Sequence, residues 1–260
     1  MNRPAVLITG GARRIGAAIS RRFGDAGWHV VIHCCRSHEA AQALASELPS
    51  ADVVRCDLAD GDAALAMVEE LAGRLVDWRA LVNSASVFRP DDATALDIGC
   101  NWEAMQVNAC TPAMMAQAYL RHARSGAGRR VIQLTDQKLA NPNPDFFSYT
   151  MSKHAVAGAV PMLAMHALSR AEGAAAPADR IYALAPGAIL ASHDQAEAEA
   201  EVSHRLNLLA RRTGAEEVAE AAWFLATGPL ASGQTLFVDS GQHLLAQPRD
   251  VMYLAREEAS

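Results

Sequence analysis

The stretch VLITGGARRIGAAI, Val6 to Ile19, decides the fold. An apolar, β-branched run from Val6 to Thr9 breaks into Gly10-Gly11, and past Ile15-Gly16 an amphipathic Ala/Ile segment begins. Strand, glycine-rich turn and helix start therefore follow one another without a gap. Glycines let the backbone approach a pyrophosphate, whose charge then sits at the helix N-terminus. A glycine-rich loop alone is weak evidence. The strand before it and the helix after it supply the context in which it predicts a dinucleotide site.

Working outward, apolar β-branched runs alternate with Ala-, Leu- and Glu-rich segments along the chain. The strand candidates are 5–9, 29–33, 52–56, 80–83, 130–135, 180–185 and 235–238, and helical segments include 16–26, 39–48, 62–75 and 154–171. Several strands are apolar throughout, as expected when helices cover both faces of a sheet. The pattern predicts one α/β domain over residues 1–260. Its core is a Rossmann-type, doubly wound parallel sheet of about seven strands with helices on both faces. Residues 171–179 read as a helix end and loop. Residues 191–212, polar and Ala/Glu-rich, read as a helical lid over a substrate.

Composition narrows the function classes. With 260 residues, 51% hydrophobic, 20% charged and a net charge of −6, the chain is an ordinary globular protein with no basic footprint for nucleic acid. No apolar run approaches the roughly 20 residues that span a bilayer, so no membrane partner is expected. The N-terminus enters a strand with no apolar leader, and the five cysteines show no CxxC spacing. These features predict a cytoplasmic protein with reduced thiols and no metal site.

Two further features point to chemistry. The second predicted strand ends VVIHCCRSH, with no acidic residue to bond a ribose 2′-hydroxyl; Arg36 and Ser37 suit a 2′-phosphate, so NADPH is the expected cofactor. The stretch QLTDQKLANPNPDFFSYTMSK, Gln133 to Lys153, sets Tyr149 four residues ahead of Lys153, hence on one helix face. A nearby ammonium favours a tyrosine's phenolate, which makes Tyr149 a candidate proton donor and acceptor. Asp136 stands thirteen residues before it, with Thr135 expected to face the opposite side of its strand.

These motifs resemble the short-chain dehydrogenase/reductase family and, within it, the pteridine reductase branch with its dihydromonapterin and dihydrofolate reductases. The family turn T-G-x-x-x-G-x-G is read here as Thr9-Gly10-Gly11-Ala12-Arg13-Arg14-Ile15-Gly16, with Arg14 in the middle glycine's place. The resemblance implies that Gly10, Arg13, Arg14, Ile15 and Gly16 hold the cofactor and that Arg14 also reaches a substrate carbonyl. It implies that Asp57 and Leu58 flank the adenine. In LVNSASVF it assigns Asn83 and Ala85 to the cofactor, and Ser86 and Phe88 to a pocket where the phenylalanine stacks on a pterin. Asn108 would support Lys153 through water, while Pro186, Gly187 and Ile189 would lie along the nicotinamide. Asp136 replaces the family's usual serine. A carboxylate suits a heterocycle presenting N–H and amino donors better than a ketone oxygen gaining charge.

The expectation is an NADPH-dependent reductase of a pterin or folate, with Asp136, Tyr149, Lys153 and Asn108 as catalytic residues. Arg14, Ser86, Phe88, Asp136 and Tyr149 form its substrate set. The resemblance further implies a homotetramer or homodimer paired through long helices, with the tail after Leu244 reaching a neighbour. The competing readings are a generic carbonyl reductase and a non-catalytic cofactor-binding member of the fold.

Overall fold

The computed structural model of the chain describes residues 3–171, 178–191 and 195–258. Most of the loop expected at 171–179, three residues of the expected lid (192–194) and the last two of the tail lie outside the described residues.

Seven parallel strands form one sheet in the order β3-β2-β1-β4-β5-β6-β7. They are β1 (Ala5–Thr9), β2 (His29–Cys34), β3 (Ala51–Arg55), β4 (Trp78–Asn83), β5 (Arg130–Leu134), β6 (Arg180–Pro186) and β7 (Thr235–Val238). The central strands are buried along most of their length, which explains their largely apolar sequences. Strand order reverses between β1 and β4, the place in an open α/β sheet where a crevice forms outside the strand carboxyl ends.

Helices cover both faces. One layer is α1 (Arg14–Asp25), α2 (His38–Glu47) and α8 (Ala215–Thr227), over a core containing Val6, Ile8, Phe23, Val30, Ile32 and Leu184. A triad of edge-on aromatics, Phe23, Trp28 and Trp223, fastens α1 to α8. The opposite layer is α3 (Gly61–Arg74), α5 (Thr111–His122) and α6 (Phe147–Ala171), over Leu7, Val31, Leu71, Trp78, Leu81 and Tyr119. An eight-residue helix, α4 (Ile98–Met105), passes through a π turn at Gln106–Cys110 into α5. The short helices α7 (Glu197–Ser203) and α9 (Val251–Glu258) pack against each other near the cleft.

Element ends differ from the sequence expectations by one or two residues, except at α6. It begins at Phe147, seven residues before the expected His154, and so contains both Tyr149 and Lys153. Its first turn is capped from a distance. The Ser148 amide donates to Asp91 Oδ1 at 3.0 Å and its hydroxyl to Asp91 Oδ2 at 2.5 Å. A carboxylate satisfying an otherwise orphaned N–H stabilises a helix start by about 1 kcal/mol. This cap comes from 57 residues away and has no local sequence signature.

Candidate active site

The glycine turn between β1 and α1 is tight enough to exclude side chains at two points. Gly10 has φ 63°, and a Cβ there would lie 3.0 Å from Ala85 Cα; a Cβ on Gly16 would lie 2.2 Å from the Gly10 carbonyl oxygen. Arg14 has φ 54°, the left-handed conformation in which glycine is at ease. This explains why related turns carry glycine there, and arginine accepts a cost of about 1–2 kcal/mol to hold it. Its guanidinium donates to the carbonyls of Ala191 at 2.9 Å and Leu190 at 3.2 Å, tying the turn to the segment after β6.

His33 was not singled out by the sequence, yet it anchors this turn. Its Nδ1 accepts from the Gly10 amide at 3.2 Å, and its Nε2 lies 3.0 Å from the Cys56 carbonyl. Accepting at Nδ1 requires the neutral ring, and burial pushes its pKa down to about 4. No side chain caps α1 and no acidic residue lies in its first turn, which leaves the helix N-terminus suited to an anion.

A cleft of about 790 Å³ runs from this turn across the sheet's carboxyl edge. Arg36, Ser37, Asp57 and Leu58 line it, as do Ile15, Ala85, Pro186, Gly187 and Ile189, and Ser86, Phe88, Asp136 and Tyr149. Arg36 is exposed, and the Ser37 hydroxyl, at the start of α2, caps nothing. Every site residue expected from the sequence borders this cleft except Asn83 and Asn108. Asn83 Nδ2 turns away to the Pro112 carbonyl at 3.2 Å. Asn108, inside the π turn, accepts from Val87 N at 2.8 Å and Ser86 Oγ at 3.1 Å, and donates to Val87 O at 2.9 Å and Ser152 Oγ at 3.0 Å. Both asparagines brace the wall from behind. The four bonds of Asn108 join the Ser86–Val87 loop to α6, the helix carrying the tyrosine and lysine.

Tyr149 Oη donates to Asp136 Oδ2 at 2.7 Å, and Asp136 Oδ1 accepts from the Lys138 amide at 2.9 Å. Both side chains are only partly buried and so reachable from the cleft. Lys153 is buried; its Nζ donates to the Leu134 carbonyl at 2.8 Å and lies 5.5 Å from the Tyr149 ring centre. Thr135 Oγ1 bonds the Leu184 carbonyl at 3.2 Å.

The electrostatics differ from the sequence expectation at one point. Burial, then the Asp136 charge, push the Tyr149 pKa well above that of a free tyrosine. The resting pair is thus a phenol donating to a carboxylate, not an ammonium-favoured phenolate. Burial raises the Asp136 pKa, with Lys138 opposing. Burial also lowers the pKa of Lys153 to about 8, partly offset by Asp136.

An aromatic row continues from the pair. Phe88 meets Tyr149 edge-on at 4.6 Å between ring centres and stacks on Phe146 at 4.2 Å, and Phe146 faces Tyr253 of α9 at 5.9 Å. Among the described residues no group of three or more His, Cys, Asp or Glu could hold a metal, and no helix is long and apolar enough to cross a membrane.

Comparison with known proteins agrees with this geometry. A family model described as enoyl-(acyl carrier protein) reductase matches residues 10–243. A protein of Streptomyces violaceoruber, described as a ketoacyl reductase of the granaticin polyketide synthase, is 30% identical over 93% of this chain and 97% of its own length. Dihydromonapterin reductase of Escherichia coli K12 is 26% identical over 92% of this chain and 96% of its own. Among solved structures, FolM alternative dihydrofolate reductase 1 from Brucella suis, in complex with NADP, superposes with a TM-score of 0.84 at 32% identity, covering 94% of this chain and 96% of that one. The matched span holds both the glycine turn and the Tyr149/Lys153 pair, on a seven-stranded parallel sheet. The chain belongs to the short-chain dehydrogenase/reductase family.

Proposed function

We propose that the protein is an NADPH-dependent reductase of a dihydropterin, a class that includes dihydromonapterin and dihydrofolate. The observation that carries this reading is the contact between Asp136 Oδ2 and Tyr149 Oη, which puts a carboxylate where a carbonyl reductase would place a neutral hydroxyl donor. A carboxylate repels an oxygen that gains negative charge but accepts two donors from a ring amino group and its neighbouring N–H. Both the dihydromonapterin and the dihydrofolate reductase relatives fit such a substrate.

The residues fit the cofactor. The cleft, the side-chain-free approach at Gly10 and Gly16, the uncapped N-terminus of α1 and the exposed Arg36 beside Ser37 suit pyrophosphate and 2′-phosphate in turn. Bound NADPH supplies the hydride that reduces a ring C=N bond. Lys153, behind Tyr149, fixes the ribose and carries the positive charge. Phe88 offers a ring to stack on the pterin. Tyr149 holds the proton destined for the ring nitrogen, and Asp136 orients the ring and relays that proton. Arg14 holds the turn against Leu190 and Ala191, and Gln195 and His204, from the described part of the expected lid, border the same cleft, all within one domain.

The same reading takes the protein as a homo-oligomer, tetramer or dimer. The outward face of α6 exposes Met162, Met165 and Leu168, which is costly in water and suits a second copy.

The test is initial rates with dihydromonapterin, dihydrobiopterin and dihydrofolate, each with NADPH and NADH. NADPH-dependent turnover of at least one, lost in Asp136→Ser with NADPH binding retained, is expected. Turnover of 3-oxoacyl thioesters or sugars instead would install the carbonyl reductase reading. NADPH binding with no turnover of either class would install a non-catalytic one.

A further inference from the structure

The C-terminal segment of the same chain also lines the cleft. Asp250, Val251 and Met252 all border it, the last two almost fully buried. This segment is tied down at two separate places. At its base, Asp145 Oδ2 accepts from the Asp250 amide at 2.7 Å and from Arg249 Nε at 2.9 Å. There too, Lys138 Nζ lies 2.8 Å from Asp250 Oδ2 and 3.3 Å from the Asp145 carbonyl, and sits 5.0 Å from the Phe146 ring centre. Further along, Arg256 of α9 pairs with Glu199 of α7.

Lys138 is 4% exposed and its ammonium is matched by a carboxylate, a carbonyl and an aromatic face. Burying a cation this deeply is costly unless it is paired, and breaking such a pair leaves an uncompensated charge. The lysine also sits two residues after Asp136 and gives its backbone amide to that carboxylate. The chain has only two lysines, Lys138 and Lys153, and both are buried at this cleft.

We infer that residues 249–257 form a strap, latched through Lys138 to Asp250, whose Val251 and Met252 are the wall that sets how large a substituent the reduced ring can carry. The nature of the ring rests on the pterin reading; the latch does not. Phe88, Asp136 and Tyr149 hold the ring end, so a group projecting from the ring away from the cofactor meets Met252 and Val251. The strap is therefore a specificity element. Lys138 acts through it as a positioning residue.

Two measurements test this on the full-length chain. In the first, the native protein is treated with acetic anhydride and acylation is followed by peptide mass spectrometry, with Lys153 as the internal reference. Lys138 should be protected, and Asp250→Asn, an isosteric change, should speed its acylation by about tenfold or more as the strap opens. Lys153 should not change. Ready acylation of wild-type Lys138, or no change in Asp250→Asn, overturns the latch. In the second, kcat/KM is compared for dihydrofolate and for 6-methyl-7,8-dihydropterin, whose substituent is too small to reach the wall. Met252→Ala should raise the dihydrofolate-to-methyl ratio by about tenfold, the value of roughly 1.4 kcal/mol of relieved contact. Met252→Trp should lower it, and the methyl substrate reports that each variant remains folded. An unchanged ratio in both variants overturns the wall. If the wild-type chain reduces no dihydropterin, the pterin reading falls and takes the wall with it, while the latch stands or falls on acylation alone.

Discussion

Replacing Asp136 by asparagine keeps the shape of the side chain and removes its charge. Two consequences can be worked from the geometry. First, the carboxylate accepts from Tyr149 Oη and from the Lys138 amide, and Asp136 borders the cleft. Hydrogen bonds to a charged group are each worth about 1.5–3 kcal/mol. Asparagine keeps one acceptor and presents an N–H₂ to a ring that also presents donors. The loss should be about 3–4 kcal/mol of transition-state stabilisation, or about 10²–10³ in kcat/KM. Second, the Asp136 charge supports the protonated form of Lys153, whose pKa of about 8 already reflects that help against burial. The charged lysine is the competent form, so wild-type kcat/KM should fall as pH rises through about 8. Without Asp136 the lysine loses its proton more easily, and this alkaline limb should move to lower pH. The assay is the pH profile of dihydropterin reduction, read at the NADPH absorbance, with NADPH affinity measured separately by fluorescence. Turnover within threefold of wild type, or an alkaline limb that stays in place or moves up, would refute the role given to the carboxylate.

Further outcomes follow from other parts of the site. Arg36→Ala should weaken NADPH binding by about ten- to a hundredfold, the worth of one charge-assisted contact, and leave NADH binding nearly unchanged; equal losses for both cofactors would place the 2′-phosphate elsewhere. His33 has a folded-state pKa of about 4 against 6.5 unfolded. The unfolded chain therefore takes up a proton that the folded one refuses between those values. Stability supplied by the neutral ring is complete above pH 6.5 and declines as pH falls toward 4, by up to about 3 kcal/mol; chemical denaturation of His33→Gln with an acid limb matching wild type would exclude this source. Arg14→Gly should relieve the left-handed backbone by about 1 kcal/mol while freeing the Leu190 and Ala191 carbonyls, so that melting temperature holds or rises while kcat/KM falls. Met165→Glu on the exposed stripe of α6 should reduce the molar mass seen by light scattering, and an unchanged mass would move the subunit contact to another face.

The fold was legible because its signals are local and periodic. Largely apolar strands, the glycine turn and the alternating helices each follow from residues close in sequence, and the two-faced burial of the sheet makes the strands mostly apolar. Tyr149 and Lys153 were legible for the same reason, since a four-residue spacing on one helix fixes both. Less visible were residues whose roles come from distant partners. Asp91 caps α6 from 57 positions away, so α6 could not be started correctly from its own sequence. The role of His33 comes from the fold, which sets its ring between Gly10 and Cys56.

Departures from the family pattern divide in the same way. Arg14 stands where the family turn carries glycine, and both it and Ser240 keep a glycine-like backbone, φ 54° in each case. The turn geometry is therefore held by the surrounding packing rather than by residue preference, and the side chain gained is free to act: Arg14 reaches across to Leu190 and Ala191, and Ser240 bonds Thr213 at 2.7 Å. Asp136 is a different kind of departure, because it changes charge instead of conformation. Its effect spreads through Tyr149 and Lys153 on one side and through Lys138 to Asp250 on the other. A serine at this position would leave Lys153 without the negative charge that offsets its burial, and would give Tyr149 a neutral acceptor in place of a charged one. If the pterin reading holds, a single substitution at this carboxylate should alter together which ring is accepted and the pH at which it is reduced.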